Sequence, residues 1–123
     1  MFRILVAIGL AALCLAAADD PCDSCRDRWD GRLDAGAYTR HETLVEAGRG
    51  YAVILAPSDA NADLVVSADG DWPPDPILCR SAAGVTAVDR CEIEANASGP
   101  LYVFVVGGEL ATGYTAGVAR PGR

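Results

Sequence analysis

Lysine is absent from the 123 residues, so every one of the ten basic side chains is an arginine. That excludes Schiff-base chemistry and the lysine that a P-loop needs on its phosphates. Histidine occurs once, as His41, which removes most templates built on paired imidazoles or histidine-rich metal sites. Positive charge is scarce altogether: 10 basic against 17 acidic residues gives a formal charge of −7. An acidic surface repels phosphate backbones, so nucleic acid and anionic membrane are poor partners, and no nucleic acid is expected. Long apolar runs are also missing. The longest uncharged stretch, Ile4–Ala18, falls short of the roughly 20 residues that cross a bilayer core.

That stretch follows the short basic start Met1-Phe2-Arg3 and ends in Leu15-Ala16-Ala17-Ala18, small residues where a signal peptidase reads. Residues 1–18 are therefore expected to be a secretory signal peptide, with no membrane span left after cleavage and a secreted or periplasmic product. The remainder, about 105 residues, is one domain able to bury roughly 60–70% of its unfolded surface. Cys14 leaves with the leader, and Cys22, Cys25, Cys79 and Cys91 remain, an even number in an oxidising compartment. Four cysteines allow three connectivities. Proximity along the chain favours Cys22–Cys25 and Cys79–Cys91.

Residues 19–36 are dense in Asp and Arg, show no sustained period, and read as an irregular N-terminal segment carrying the C-x-x-C. From residue 37 to 120 the chain turns to short apolar or alternating runs punctuated by Gly, Pro, Asn and Asp. Thr39–Val45 alternates with His41, Thr43 and Val45 on one face; Tyr51–Ala56 puts Tyr51, Val53 and Leu55 together; Asp89–Ala95 sets Cys91, Ile93 and Ala95 against Arg90, Glu92 and Glu94. Leu101–Val106 is apolar on both faces, as a strand covered on both sides would be, with Tyr102 and Phe104 sharing one face as expected core. About seven to eight strands at this spacing predict an all-β, antiparallel, jelly-roll-like sandwich, followed by a tail at 121–123.

The order of these pieces resembles the bacterial pre-peptidase C-terminal domain, a secreted β-sandwich. The resemblance rests on the alternating strand His41–Val45, the Ala47-Gly48 turn into Tyr51–Leu55, and Asp63-Leu64-Val65-Val66. It continues through Ser98-Gly99-Pro100-Leu101-Tyr102-Val103-Phe104-Val105 to the closing Gly113-Tyr114-Thr115-Ala116-Gly117-Val118. It implies a non-catalytic module that rides on secreted peptidases; related sandwiches bind collagen or carbohydrate, some with calcium. No peptidase precedes the domain here, and the cysteine pairs depart from the pattern.

The side chains point to a binding or accessory module and not to an enzyme. Cys22-Asp23-Ser24-Cys25 has redox spacing, but no helix follows to lower a thiol pKa, and Asp20, Asp23 and Asp27 raise it. A local disulfide is the simpler reading; an exported thiol-redox or metal-binding protein, or a structural envelope protein without ligand, are the rivals. His41 reads as a packed, hydrogen-bonded residue, with no G-x-S-x-G or local nucleophile to serve. In the loop Ala68–Pro76, Trp72 either folds back to cap one end of the sandwich or offers a stiff aromatic platform for a carbohydrate or protein ligand, with Asp69 and Asp71 beside it. Asp69, Asp71 and Asp75 together form a candidate calcium set, the one cofactor considered.

Overall fold

The structure is a computed structural model that describes residues 20–84 and 87–120. The leader at 1–18 and the tail at 121–123 lie outside the described residues. Eight strands follow in chain order: β1 (Asp27–Leu33), β2 (Tyr38–Val45), β3 (Gly50–Pro57), β4 (Ala62–Ser67), β5 (Cys79–Ser81), β6 (Asp89–Glu94), β7 (Gly99–Gly107) and β8 (Thr112–Ala119). They form two four-stranded sheets, β1-β8-β3-β6 and β2-β7-β4-β5, with every pairing antiparallel. The all-β sandwich expected from the turn cadence is the architecture found.

The alternations set which face goes inward. Tyr51, Val53 and Leu55 of β3 meet Leu64 and Val66 of β4 and Leu101, Val103 and Val105 of β7, all at 7% exposure or less. Each such side chain contributes about 1.5–3 kcal/mol by leaving water. Register follows from the same constraint, because a one-residue slip in β7 would turn Val103 and Val105 outward. The Ala47-Gly48 turn joins β2 to β3; Gly48 takes φ +83°, which a side chain would disfavour, and donates its N–H to Ala95 O.

The N-terminal segment is not irregular throughout. Asp27–Leu33 is a strand that pairs along its whole length with β8 and completes the first sheet. The folded unit therefore begins well before residue 37. Its alternation was obscured because the inward positions include Gly31 as well as Trp29 and Leu33, and the outward ones are Arg28, Asp30 and Arg32. Gly31 is small for a local reason: a Cβ there would lie 2.7 Å from the Tyr114 hydroxyl.

Both disulfides pair as proximity suggested, Cys22–Cys25 and Cys79–Cys91. The second links β5 of one sheet to β6 of the other, with Cα atoms 6.0 Å apart, and so ties the two layers together. Beside it Asp89, inaccessible to solvent, accepts hydrogen bonds from the Ser81 hydroxyl and the Ala83 N–H. Burial pushes its carboxyl pKa up. The first disulfide lies flat on β8 at Gly117, where a Cβ would fall 2.6 Å from Cys25 Sγ and from Asp27 O, and closer still to Cys22 Sγ.

Candidate functional site

The outer face of the β2-β7-β4-β5 sheet carries the side chains that the core does not use. Register places Arg40 beside Phe104, Phe104 beside Val65, and Val65 beside Arg80, with Tyr38–Val106 and Glu42–Tyr102 in the flanking rows. The loop Ala68–Pro76 folds back across this face. Its Trp72 ring stacks on Tyr38 at 4.5 Å and lies against Phe104 at 5.2 Å. Arg40 donates to Gly70 O at 2.7 Å while its guanidinium covers the Tyr102 ring. Gly70 is confined there, since a Cβ would fall 2.9 Å from the Tyr102 ring.

This arrangement corrects one expectation. Tyr102 and Phe104 do share a face, but it is the outer one. Phe104 is fully buried because the loop covers it, outside the inter-sheet core. The strand is covered on both sides, as its apolar composition implied, with the second cover supplied by a loop. Trp72 itself remains 39% exposed and Tyr38 46%, so the pair forms a fixed aromatic platform open to solvent.

The loop carboxylates divide in role. Asp69 accepts the N–H of Asp71 at 3.1 Å on one oxygen and the N–H of Asp75 at 3.0 Å on the other. The Ser67 hydroxyl donates to Pro76 O and accepts the Asp69 N–H, closing the loop's base. Asp69 thus shapes the loop, which leaves Asp71 and Asp75 exposed around the platform. Among the described residues no three His, Cys, Asp or Glu side chains gather as metal ligands. Both Asp69 oxygens accept loop amides, and the expected calcium set of Asp69, Asp71 and Asp75 is not gathered among the described residues.

Charge is distributed unevenly. The six ion pairs among the described residues are Arg26–Asp27, Arg28–Asp20, Arg28–Asp30, Arg32–Asp59, Arg49–Glu46 and Arg90–Glu92. All lie on the first sheet, its flanking segments or the β2–β3 turn. There the Thr115 hydroxyl and Arg28 hold Asp30 below the usual carboxylate range, and the Gly113 N–H and Arg32 do the same for Asp59. Asp71 and Asp75 on the platform's own loop, and Arg40, Glu42 and Arg80 on the same outer sheet face, have no ion-pair partner among the described residues.

His41 lies elsewhere, on the inner side of β2. Its ring stacks on Trp29 at 4.7 Å and 6°, and Nε2 sits 2.8 Å from the Tyr114 hydroxyl. Burial holds its pKa below the ordinary 6.5 and raises that of Tyr114. This is the packed, hydrogen-bonded histidine anticipated. The Cys22–Cys25 sulfurs are bonded to each other and pressed on the Gly117 backbone, with Cys22 3% exposed. Tyr38 and Arg40 were missed in the sequence, and the cap expected of Trp72 at one end of the sandwich lies instead over Phe104 on the outer sheet face. Extending the β2 alternation to Tyr38 would have put Tyr38, Arg40 and Glu42 on one face.

No protein-family model matches the chain, and no curated protein is similar to it in sequence. Solved structures are. The periplasmic PliG of Aeromonas hydrophila, a lysozyme inhibitor of g-type lysozyme, superimposes with a TM-score of 0.65 at 15% identity. The match covers 79% of this chain and 87% of that one. The pre-peptidase C-terminal domain of collagenase from Bacillus anthracis superimposes with a TM-score of 0.61 at 14% identity, over 75% of this chain and 87% of that one. The chain has the β-sandwich fold of the pre-peptidase C-terminal domain, a fold it shares with a periplasmic lysozyme inhibitor.

Proposed function

We propose that the protein is an exported, non-catalytic binding module that holds a basic protein surface against the Tyr38–Trp72 platform. The observation that carries this reading is a solvent-open aromatic pair, fixed by stacking and flanked on its own loop by the exposed acids Asp71 and Asp75, which have no ion-pair partner among the described residues. Rigid aromatics supply contact area at low entropic cost, and unpaired carboxylates steer a cationic partner. The disulfides and the periplasmic neighbour support export. The neighbour's inhibition of a lysozyme supports a protein ligand. A sugar fits less well, because Trp72 and Tyr38 spend one ring face each on the other.

The test is biolayer interferometry of the exported protein against a g-type lysozyme, at low and high salt, with a glycan array in parallel. Binding that weakens with salt is expected. Asp71→Arg should weaken it without a change in stability, since that side chain is exposed. Trp72→Ala should cost about 2 kcal/mol of binding, the scale of an interface anchor. Trp72-dependent glycan binding without lysozyme binding would replace the proposed ligand. Lysozyme binding indifferent to both variants would remove the platform as the site.

A further inference from the structure

We infer that the protein forms a two-fold dimer by antiparallel pairing of β2 with the β2 strand of a second copy. β2 is a free edge of its sheet among the described residues and runs for eight residues without Pro or Gly, its two charges, Arg40 and Glu42, being of opposite sign. An edge of that kind invites another strand unless it is blunted. Of the other edges, β5 is three residues long, β1 contains Gly31, and β6 is tied by the Cys79–Cys91 disulfide to β5 of the other sheet.

The backbone shows which groups are available. Leu44 lies opposite Pro100, which has no N–H, and Leu44 O accepts from the Arg26 guanidinium at 2.7 Å. Both facts turn the N–H and C=O of Leu44 away from β7. By strand alternation the same holds for Glu42, Arg40 and Tyr38. These residues also present their side chains on the outer face, where Leu44 is 65% and Tyr38 46% exposed.

A two-fold axis at His41 sets Arg40 opposite the other copy's Glu42, and Tyr38 opposite its Leu44, each twice. Every one of these positions is then a hydrogen-bonded pair, in agreement with the free backbone groups. The neighbouring registers that keep this hydrogen bonding set Arg40 against Arg40 or Glu42 against Glu42, which repel. The strand is therefore complementary to itself in one register only. Arg26 does not block it, because the Leu44 carbonyl has a second lone pair for the incoming Tyr38 N–H. The product is a continuous eight-stranded sheet with both Tyr38–Trp72 platforms on one face.

Sedimentation velocity of the exported protein alone, across a wide concentration series, measures this without any ligand. A reversible monomer–dimer equilibrium is expected. Glu42→Arg places two arginine pairs in opposition and should weaken the dimer about tenfold or more, on the scale of cross-strand charge pairs. The double exchange Arg40→Glu with Glu42→Arg should restore it. Because Arg40 also holds Gly70, Glu42→Pro serves as a second probe: its N–H is free in the monomer, so it should leave the fold intact and abolish the dimer. Hydrogen exchange should show concentration-dependent protection at Arg40 and Glu42. A monomer at every concentration, or a dimer indifferent to both Glu42 variants, overturns the inference. Loss of lysozyme binding by Asp71→Arg with the dimer retained separates this result from that of the platform.

Discussion

Removing the Cys79–Cys91 bridge, as Cys79→Ala with Cys91→Ala, tests whether the two layers depend on a covalent tie. The cysteines are 12 positions apart, and a loop of that length restricts the unfolded chain by about 3 kcal/mol. Because Cys91 is 1% exposed, truncation also leaves a small void among Val53 and its neighbours, so the loss does not fall below that figure. For a domain of this size about 3 kcal/mol corresponds to roughly 12–24 °C in Tm. The assay is urea and thermal unfolding followed by circular dichroism, with the oxidised wild type as reference. The Cys22–Cys25 pair provides the contrast. It closes a far shorter loop on one sheet, so Cys22→Ala with Cys25→Ala should cost less. A loss below about 1 kcal/mol at Cys79–Cys91 would refute the reasoning, since the entropic restriction predicts about three times that. It would mean that the reduced chain already keeps β5 beside β6, with the Ser81–Asp89 hydrogen bond sufficient to hold the layers.

Three further outcomes follow from particular contacts. Gly117→Ala should destabilise by about 2 kcal/mol or more through overpacking against the Cys22–Cys25 sulfurs and Asp27 O, and the loss should shrink when both cysteines are alanine. Equal losses in the two backgrounds, measured by urea unfolding, would assign the clash to Asp27 alone. His41 has a folded pKa below its unfolded value of about 6.5, so its contribution is present above that pH and is lost as pH falls through the folded value. The wild type should therefore lose more stability than His41→Gln between pH 7.5 and 5.5, and parallel curves would contradict the burial-induced shift. Trp72→Ala should lower Tm by several degrees besides weakening binding, because it uncovers Phe104; an unchanged Tm would show that Phe104 stays covered without it.

Much of the architecture was legible because it follows from one-dimensional patterns. The two-residue alternation of β2, β3 and β6 sets the inward face, and the Gly, Pro and Asn-rich breaks set the strand count. The cysteine pairing was legible because the pairs are close along the chain. β1 was not, since an edge strand that buries only Trp29 and Leu33 and spends its outer positions on ion pairs carries little apolar signal. The loop Ala68–Pro76 was legible as a loop, and Trp72 as its notable side chain. Its destination was not.

That difference has a physical cause. Local sequence determines propensity, face and turn, because these depend on neighbours a few bonds away. It does not determine which remote surface a loop covers. Trp72 lies on Tyr38 and Phe104, residues 34 and 32 positions distant, only because β2 and β7 pair and expose that row together. The concentration of ion pairs on one sheet and its flanks is equally a product of strand order. Composition alone established an acidic chain; the tertiary structure decided which acids meet an arginine, and set the exposed Asp71 and Asp75 on the loop that carries Trp72, part of the one aromatic platform open to solvent among the described residues.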